Sequence, residues 1–281
     1  MIPSHFVAIL IAISISMLVG TRYLKLQYWH HDSTPPAITK PAVQWQLVFN
    51  DEFEGDTLDT NKWTTAFPWG RAGANESELQ YYAEDAFEFQ NGIQRIRAEE
   101  RSMAGYDYTS GIISSYSRFH LQYGYVEMRA RMPKGQGFWP AFWLLPVTKD
   151  WPPEIDVFEM LGHETDTIYM TLHWLHESGQ SQSVQGVHVG PDFNADFHTF
   201  AVDWSPGQIV WYIDDVERFR TTENVPDEPM YLLANLAVGG DWPGNPDETT
   251  SFPGYYEIDY IRVYQHSYGS HIWLPIVVNN P

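Results

Sequence analysis

The sequence predicts an all-β fold, a β-sandwich or jelly roll. Three observations lead there: short apolar runs with period-two alternation from about residue 43 to 265, Gly, Pro, Asn and Asp breaks between them, and no long amphipathic helical pattern. No repeat period runs through the segments, which disfavours propellers and solenoids.

Taken in order, residues 6–20 (FVAILIAISISMLVG) form an uncharged apolar stretch where an export signal or membrane anchor belongs. No Lys or Arg precedes it, Arg22 and Lys25 follow it, and no A-x-A cleavage site is evident. The stretch is borderline against the roughly 20 apolar residues a span needs. Cleaved signal and retained anchor therefore both stay open, with a buried helix of the fold as a third reading. The expected organisation is a signal or anchor over 1–27, a Pro/Ser/Thr-rich linker over 28–43, one body over 44–266 and a tail over 267–281. The tail ends in an apolar IWLPIVV patch to which no role is assigned.

Within the body, residues 124–132 place Val126, Met128, Ala130 and Met132 on one face and Tyr125, Glu127, Arg129 and Arg131 on the other, as a half-buried strand requires. The first face is expected to pack and the second to be wet. Residues 209–213, Asp214-Asp215 and residues 216–219 read as a hairpin, and 255–264 (YYEIDYIRVY) alternates again.

Composition bounds the partners. With 36 acidic against 16 basic residues the net charge is −20, which repels nucleic acid, anionic membrane surfaces and heavily sulfated polysaccharides. A neutral partner is expected. The absence of Cys closes thiolate metal sites, disulfides and cysteine nucleophiles, without fixing the compartment.

Glu154, Asp156 and Glu159 fall in one short run, EIDVFE, among apolar neighbours, where burying three acids without a use would be costly. In a regular strand Glu159 points away from Glu154 and Asp156; one β-bulge near Val157 or Phe158 returns it to their face. The two glutamates then sit about 13 Å apart at Cα, at roughly 3.3 Å per residue. Side chains leaning inward can approach the ~5–5.5 Å that retaining glycosidases need, rather than the ~6.5–9.5 Å of inverting ones. Three crowded acids cannot all ionise freely, so at least one is expected to hold a proton. The acids alone also suit a solvated strand edge or a cation site.

Trp139 and Trp143, four residues apart in GQGFWPAFWLLP, share a strand face and suit stacking on sugar rings, with core packing as the alternative. Trp69 and Trp242 fall in turn-rich sequence, whereas Trp63, Trp204 and Trp211 read as core. His173 shares parity with Tyr169 and Thr171 on a strand over 168–174, and is either a structural or a functional histidine. Nothing resembles a catalytic zinc set or a phosphate loop.

The EIDVFE run resembles the E-x-D-x-x-E signature of glycoside hydrolase family 16, bulged-strand type. The resemblance extends in order over residues 44–265 through FNDEFEG, ELQYY, YTSG, GYVE, the Trp139/Trp143 run, AVGG with WPG, and DYIRVY. ELQYY and GGDWPG are most similar to the laminarinase branch of endo-β-1,3-glucanases. The resemblance implies a jelly roll of two curved antiparallel sheets with an open concave cleft, and retaining endo-hydrolysis of β-1,3- or mixed-linkage β-glucan. It assigns Glu154 as nucleophile, Asp156 as the residue tuning the pair and Glu159 as acid/base. Trp139, Trp143 and Trp242 would line sugar subsites, with His173 near the acid/base and Asn75 or Glu78 at the rim. It further implies a structural calcium held by Glu52, Gly92 and Asp259, no catalytic cofactor, and an exported monomer. The sequence departs from the family where Ile112 follows YTSG in place of an Arg, and where AGANES precedes ELQYY. A glucan-binding module on the same fold, a transglycosylase and a β-agarase remain alternatives; the retained pair Glu154 and Glu159 speaks against the first.

Overall fold

The computed structural model describes residues 45–266. The expected signal or anchor, the linker and the apolar tail lie outside the described residues. Within them the chain is all-β, with no helix. A ten-stranded and a six-stranded sheet face each other, antiparallel except where Gln80–Tyr82 runs parallel to Tyr106–Ser110.

Alternation builds the sandwich. From the large sheet, Val126, Met128 and Ala130 of strand Gly124–Arg131 point inward beside Ile258, Ile261 and Val263 of strand Gly254–His266. From the small sheet, Ile155, Val157, Phe158 and Met160 of strand Glu154–Met160 meet them with Leu232, Leu236 and Val238 of strand Met230–Val238. Each large apolar side chain buried this way contributes on the order of 2 kcal/mol. Trp63, Trp204 and Trp211 are core residues as expected.

The hairpin closes as read: Ile213 pairs with Val216, and Asp214 and Asp215 both take positive φ (51° and 61°), the two-residue turn whose twist matches the strands. The wet face of strand Gly124–Arg131 differs from expectation, because Tyr125 and Glu127 are buried. Tyr125 lies among Trp45, Tyr212 and Tyr264, and Glu127 accepts a hydrogen bond from Tyr260. Long aromatic side chains from adjacent strands cover that end of the outer face, which alternation alone cannot show.

The six-stranded sheet runs Ser181–Val189, Thr167–Leu175, Glu154–Met160, Phe138–Pro146, Met230–Val238, Ile112–Ser114. Its outer face forms the floor of a cleft of about 910 Å³. At one end of that face a second apolar cluster gathers Phe67, Tyr82, Ile112, Trp143, Leu145, Tyr231 and Leu233.

The carboxylates expected to hold calcium each face an arginine. Glu52 accepts two hydrogen bonds from Arg262, at 3.0 and 2.7 Å, and Asp259 pairs with Arg129. Gly92 takes the positive φ of a turn beside Asn91. Carboxylates committed to guanidinium groups do not fit an oxygen cage for calcium.

Candidate active site

The bulge falls at Val157. Against strand Phe138–Pro146, Glu159 pairs with Ala141, Phe158 with Phe142 and Asp156 with Trp143, so Val157 is the extra residue. Val157 and Phe158 both turn into the core. That double step returns Glu159 to the face of Glu154 and Asp156, and all three acids line the cleft. The irregular backbone is held from behind: the indole of core residue Trp211, on the opposite sheet, donates to the Asp156 carbonyl at 2.8 Å. A buried carbonyl displaced from the ladder thereby gains a partner.

Neighbouring strands complete the site. His173 stands opposite Glu154, and its Nε2 lies 3.3 Å from Asp156 Oδ2 and 3.7 Å from Glu154 Oε1. Trp139 Nε1 donates to Glu159 Oε1 at 3.0 Å, and Trp151 Nε1 donates to Glu154 Oε2 at 2.8 Å. Trp242 meets Trp139 edge to face at 5.4 Å and Tyr169 at 4.8 Å, so three aromatic side chains wall the side near Glu159. Ligand atoms of Glu154, Asp156 and His173 lie within 4.8 Å of one another. A divalent cation there would compete for the same oxygen and nitrogen atoms that pair Asp156 and Glu154 with His173.

His173 thus stands beside Glu154 and Asp156 and not beside Glu159 as the resemblance implied, because its register on the neighbouring strand sets it opposite Glu154. The other expected residues take more structural places. Trp143 lines the cleft but is only 8% exposed; its Nε1 donates to Asn235 Oδ1, and Asn235 in turn donates to the Tyr82 hydroxyl. It acts more as a buried wall than as a free platform, because Phe67 and Tyr82 pack over that end of the strand. Glu78 and Asn75 line the cleft, yet Glu78 is buried and accepts from the Asn75 backbone and side chain and from Gln80, clasping the rim turn. Ile112 is fully buried in the second cluster, so no side chain from that position reaches the cleft. Trp69 is exposed and stacks on Phe67 at 4.6 Å on the cleft wall.

Sequence reasoning missed Trp151, Asn235 and Gln185. Trp151 had a signal in its position three residues before Glu154. Asn235 was hidden in a strand buried along its whole length, and Gln185, which donates to Thr171 Oγ1, sits in an otherwise unremarked edge strand.

The electrostatics are asymmetric. Burial first, then the charges of Asp156 and Glu154, push Glu159 well above the carboxylate range, opposed only by the Trp139 hydrogen bond. Burial and the Asp156 charge also lift Glu154, to about 8, but His173 and the Trp151 hydrogen bond oppose the rise. Burial works against a charge on His173, yet its hydrogen bond to Asp156 and the charges of Asp156 and Glu154 outweigh it and raise the imidazole to about 9. A cationic His173 thus stands beside Glu154 at neutral pH, while no cation stands beside Glu159 among its determining contacts. The two carboxyls titrate as a coupled unit: burial and mutual charge raise both, and His173 favours the ionised form of Glu154. Once Glu154 has given up its proton, the arrangement can present a carboxylate nucleophile next to a carboxylic acid.

The family model for glycosyl hydrolases family 16 matches residues 76–262. Among curated proteins, the chain is 40% identical over 241 residues to the endo-1,3-1,4-β-glycanase ExsH of Rhizobium meliloti, covering 77% of this chain and 51% of that protein. The chain thus spans about half the length of that relative. Among solved structures, the catalytic domain of an endo-1,3-β-glucanase (laminarinase) from Thermotoga petrophila is 37% identical with a TM-score of 0.73, covering 80% of this chain and 100% of that one. An endo-β-1,3-glucanase from Pyrococcus furiosus is 35% identical with a TM-score of 0.75, covering 83% and 98%.

Proposed function

Because the chain belongs to glycosyl hydrolases family 16, we propose that it is a retaining endo-hydrolase of β-1,3-glucan of the laminarin type or of mixed-linkage β-1,3(4)-glucan. The observation that supports this most is the Val157 bulge, which turns Glu154 and Glu159 toward one cleft while leaving them in unlike surroundings.

In the first step Glu154 attacks the anomeric carbon as Glu159 passes its proton to the departing glycosidic oxygen, giving a covalent glycosyl-enzyme. Glu159, now ionised, takes a proton from water as that water attacks the same carbon, and two inversions return the β configuration. Asp156, between the two, holds His173 charged and raises Glu159 while it is itself anchored by the Trp211 contact at its backbone.

The cleft supports an internal cut in a neutral chain. It is open, walled by Trp69, Trp139, Trp151 and Trp242, and rich in acids, with Lys149 as the one Lys or Arg on its lining among the described residues. Sugar rings stack on such indoles, whereas sulfated or uronic chains meet repulsion. Export is part of the same proposal, supported by the uncharged apolar run of residues 6–20, which reads as a signal or anchor.

Product analysis of the purified protein on laminarin, lichenan, agarose and carrageenan tests the proposal. Laminarin and lichenan should give a ladder of oligosaccharides with the β-anomer formed first. Exclusive cleavage of agarose would overturn the glucanase assignment, and no cleavage with tight laminarin binding would favour a binding module.

A further inference from the structure

Trp151 stands apart from the other cleft tryptophans. It is 56% exposed, it belongs to the loop before the catalytic strand, and its Nε1 donates to Glu154 Oε2 at 2.8 Å. Its ring lies 6.1 Å from the His173 imidazole, which itself stands opposite Glu154 in register. Glu154 Oε1, by contrast, meets His173 only at 3.7 Å, outside hydrogen-bond range.

We infer that Trp151 is a positioning residue for the nucleophile: its indole N–H fixes Oε2 of Glu154 and leaves Oε1 to attack the anomeric carbon, while its exposed ring offers a stacking surface to the sugar bound beside it. This rests on Glu154 being the nucleophile. An N–H held on one oxygen sets the carboxylate rotamer and favours its ionised form. The exposed indole couples the two duties, since a sugar stacked on the ring restrains the same side chain that holds Glu154.

The titratable and charged groups around Glu154 come from every side. Asp156 and Glu159 share its strand, His173 faces it from strand Thr167–Leu175, Lys149 and Asp150 line the cleft from the preceding loop, and Tyr231 senses its charge from strand Met230–Val238. Among them His173 opposes the burial and Asp156 charge that hold Glu154 high, and the Trp151 bond works in the same direction as His173. Removing the N–H alone should therefore move Glu154 toward its protonated form.

The test compares Trp151→Phe, which keeps an aromatic ring and loses the donor, with Trp151→Ala, which loses both. Initial rates on laminarin give kcat and KM across pH. In parallel, protein carrying 13C at the glutamate carboxyl carbons is titrated without substrate, with Glu154→Gln identifying the Glu154 resonance. Trp151→Phe should lower kcat about tenfold, leave KM within about twofold, and raise the Glu154 titration by about one pH unit, in keeping with the strength of hydrogen bonds to charged groups. Trp151→Ala should do the same and also raise KM several-fold. Unchanged kcat in Trp151→Phe, a change in KM alone, or a fall in kcat with an unmoved titration would each overturn the inference. Should the wild-type protein fail to cleave laminarin, the substrate reading falls, while the titration still decides whether Trp151 tunes Glu154.

Discussion

Glu154→Gln should make the fold more stable as it removes the activity, and the gain should depend on pH. In the folded protein burial and Asp156 lift Glu154 from the usual 4.5 to about 8. A group raised in this way contributes fully below about pH 4.5 and loses that contribution as pH rises through 8, because the unfolded chain releases its proton earlier. An isolated carboxyl displaced that far would cost on the order of 5 kcal/mol above pH 8. Protons shared with Asp156 and Glu159 reduce this, and about 2 kcal/mol is expected. Gln keeps an oxygen for the Trp151 N–H and carries no charge, so the variant escapes the penalty. For a domain of this size that is a rise in Tm of roughly 4–8 °C at pH 8, shrinking toward zero at pH 4. Differential scanning calorimetry of both proteins from pH 4 to 9 reads the curve, with laminarin hydrolysis assayed on the same samples. A Tm difference that is absent or independent of pH would refute the electrostatic account of the site, and wild-type activity in the variant would remove Glu154 from the mechanism.

Three further outcomes follow from the same geometry. Glu159→Ala should lower turnover of laminarin by about 10²–10⁴-fold, and azide should restore cleavage of an aryl β-glucoside with a good leaving group by giving the β-glycosyl azide; rescue with the α product would contradict the acid/base role. Trp211→Phe strips the donor from the Asp156 carbonyl and should cost about 1–3 kcal/mol of stability in urea unfolding, with kcat falling more than KM changes. Thermal unfolding should be unmoved, within about 1 °C, by exchanging chelator for millimolar calcium, since Arg262 and Arg129 hold Glu52 and Asp259; a rise of several degrees would show a calcium site that these pairings conceal.

Strand faces were legible in the sequence because period two maps directly onto a sheet. Val126, Met128 and Ala130 point inward as read, and the spacing of the three acids of EIDVFE called for a bulge near Val157 or Phe158, which the strand register places at Val157. The Asp214-Asp215 turn was legible for a local reason, since the short side chain of Asp, like that of Asn, tolerates positive φ. Depth was not legible. Trp143 shares a face with Trp139, but the covering residues Phe67 and Tyr82 come from segments some 60–75 positions earlier in the chain, and no spacing within the strand announces them. Trp211 was rightly read as core, yet its hydrogen bond to the catalytic strand depends on which strands face each other across the sandwich. Trp151 was overlooked because a tryptophan in a Pro-rich loop carries no periodic signal, although its closeness to Glu154 in sequence was visible.

In the proposed mechanism Glu154 forms the covalent intermediate. Incubation with an activated 2-deoxy-2-fluoro β-1,3-gluco-oligosaccharide, followed by proteolysis and mass spectrometry, tests it most directly. One sugar adduct per chain is expected on the peptide containing EIDVFE, located at Glu154 and released on addition of an acceptor sugar. An adduct at Glu159 or Asp156, or no adduct together with an α-anomer as the first product, would contradict it.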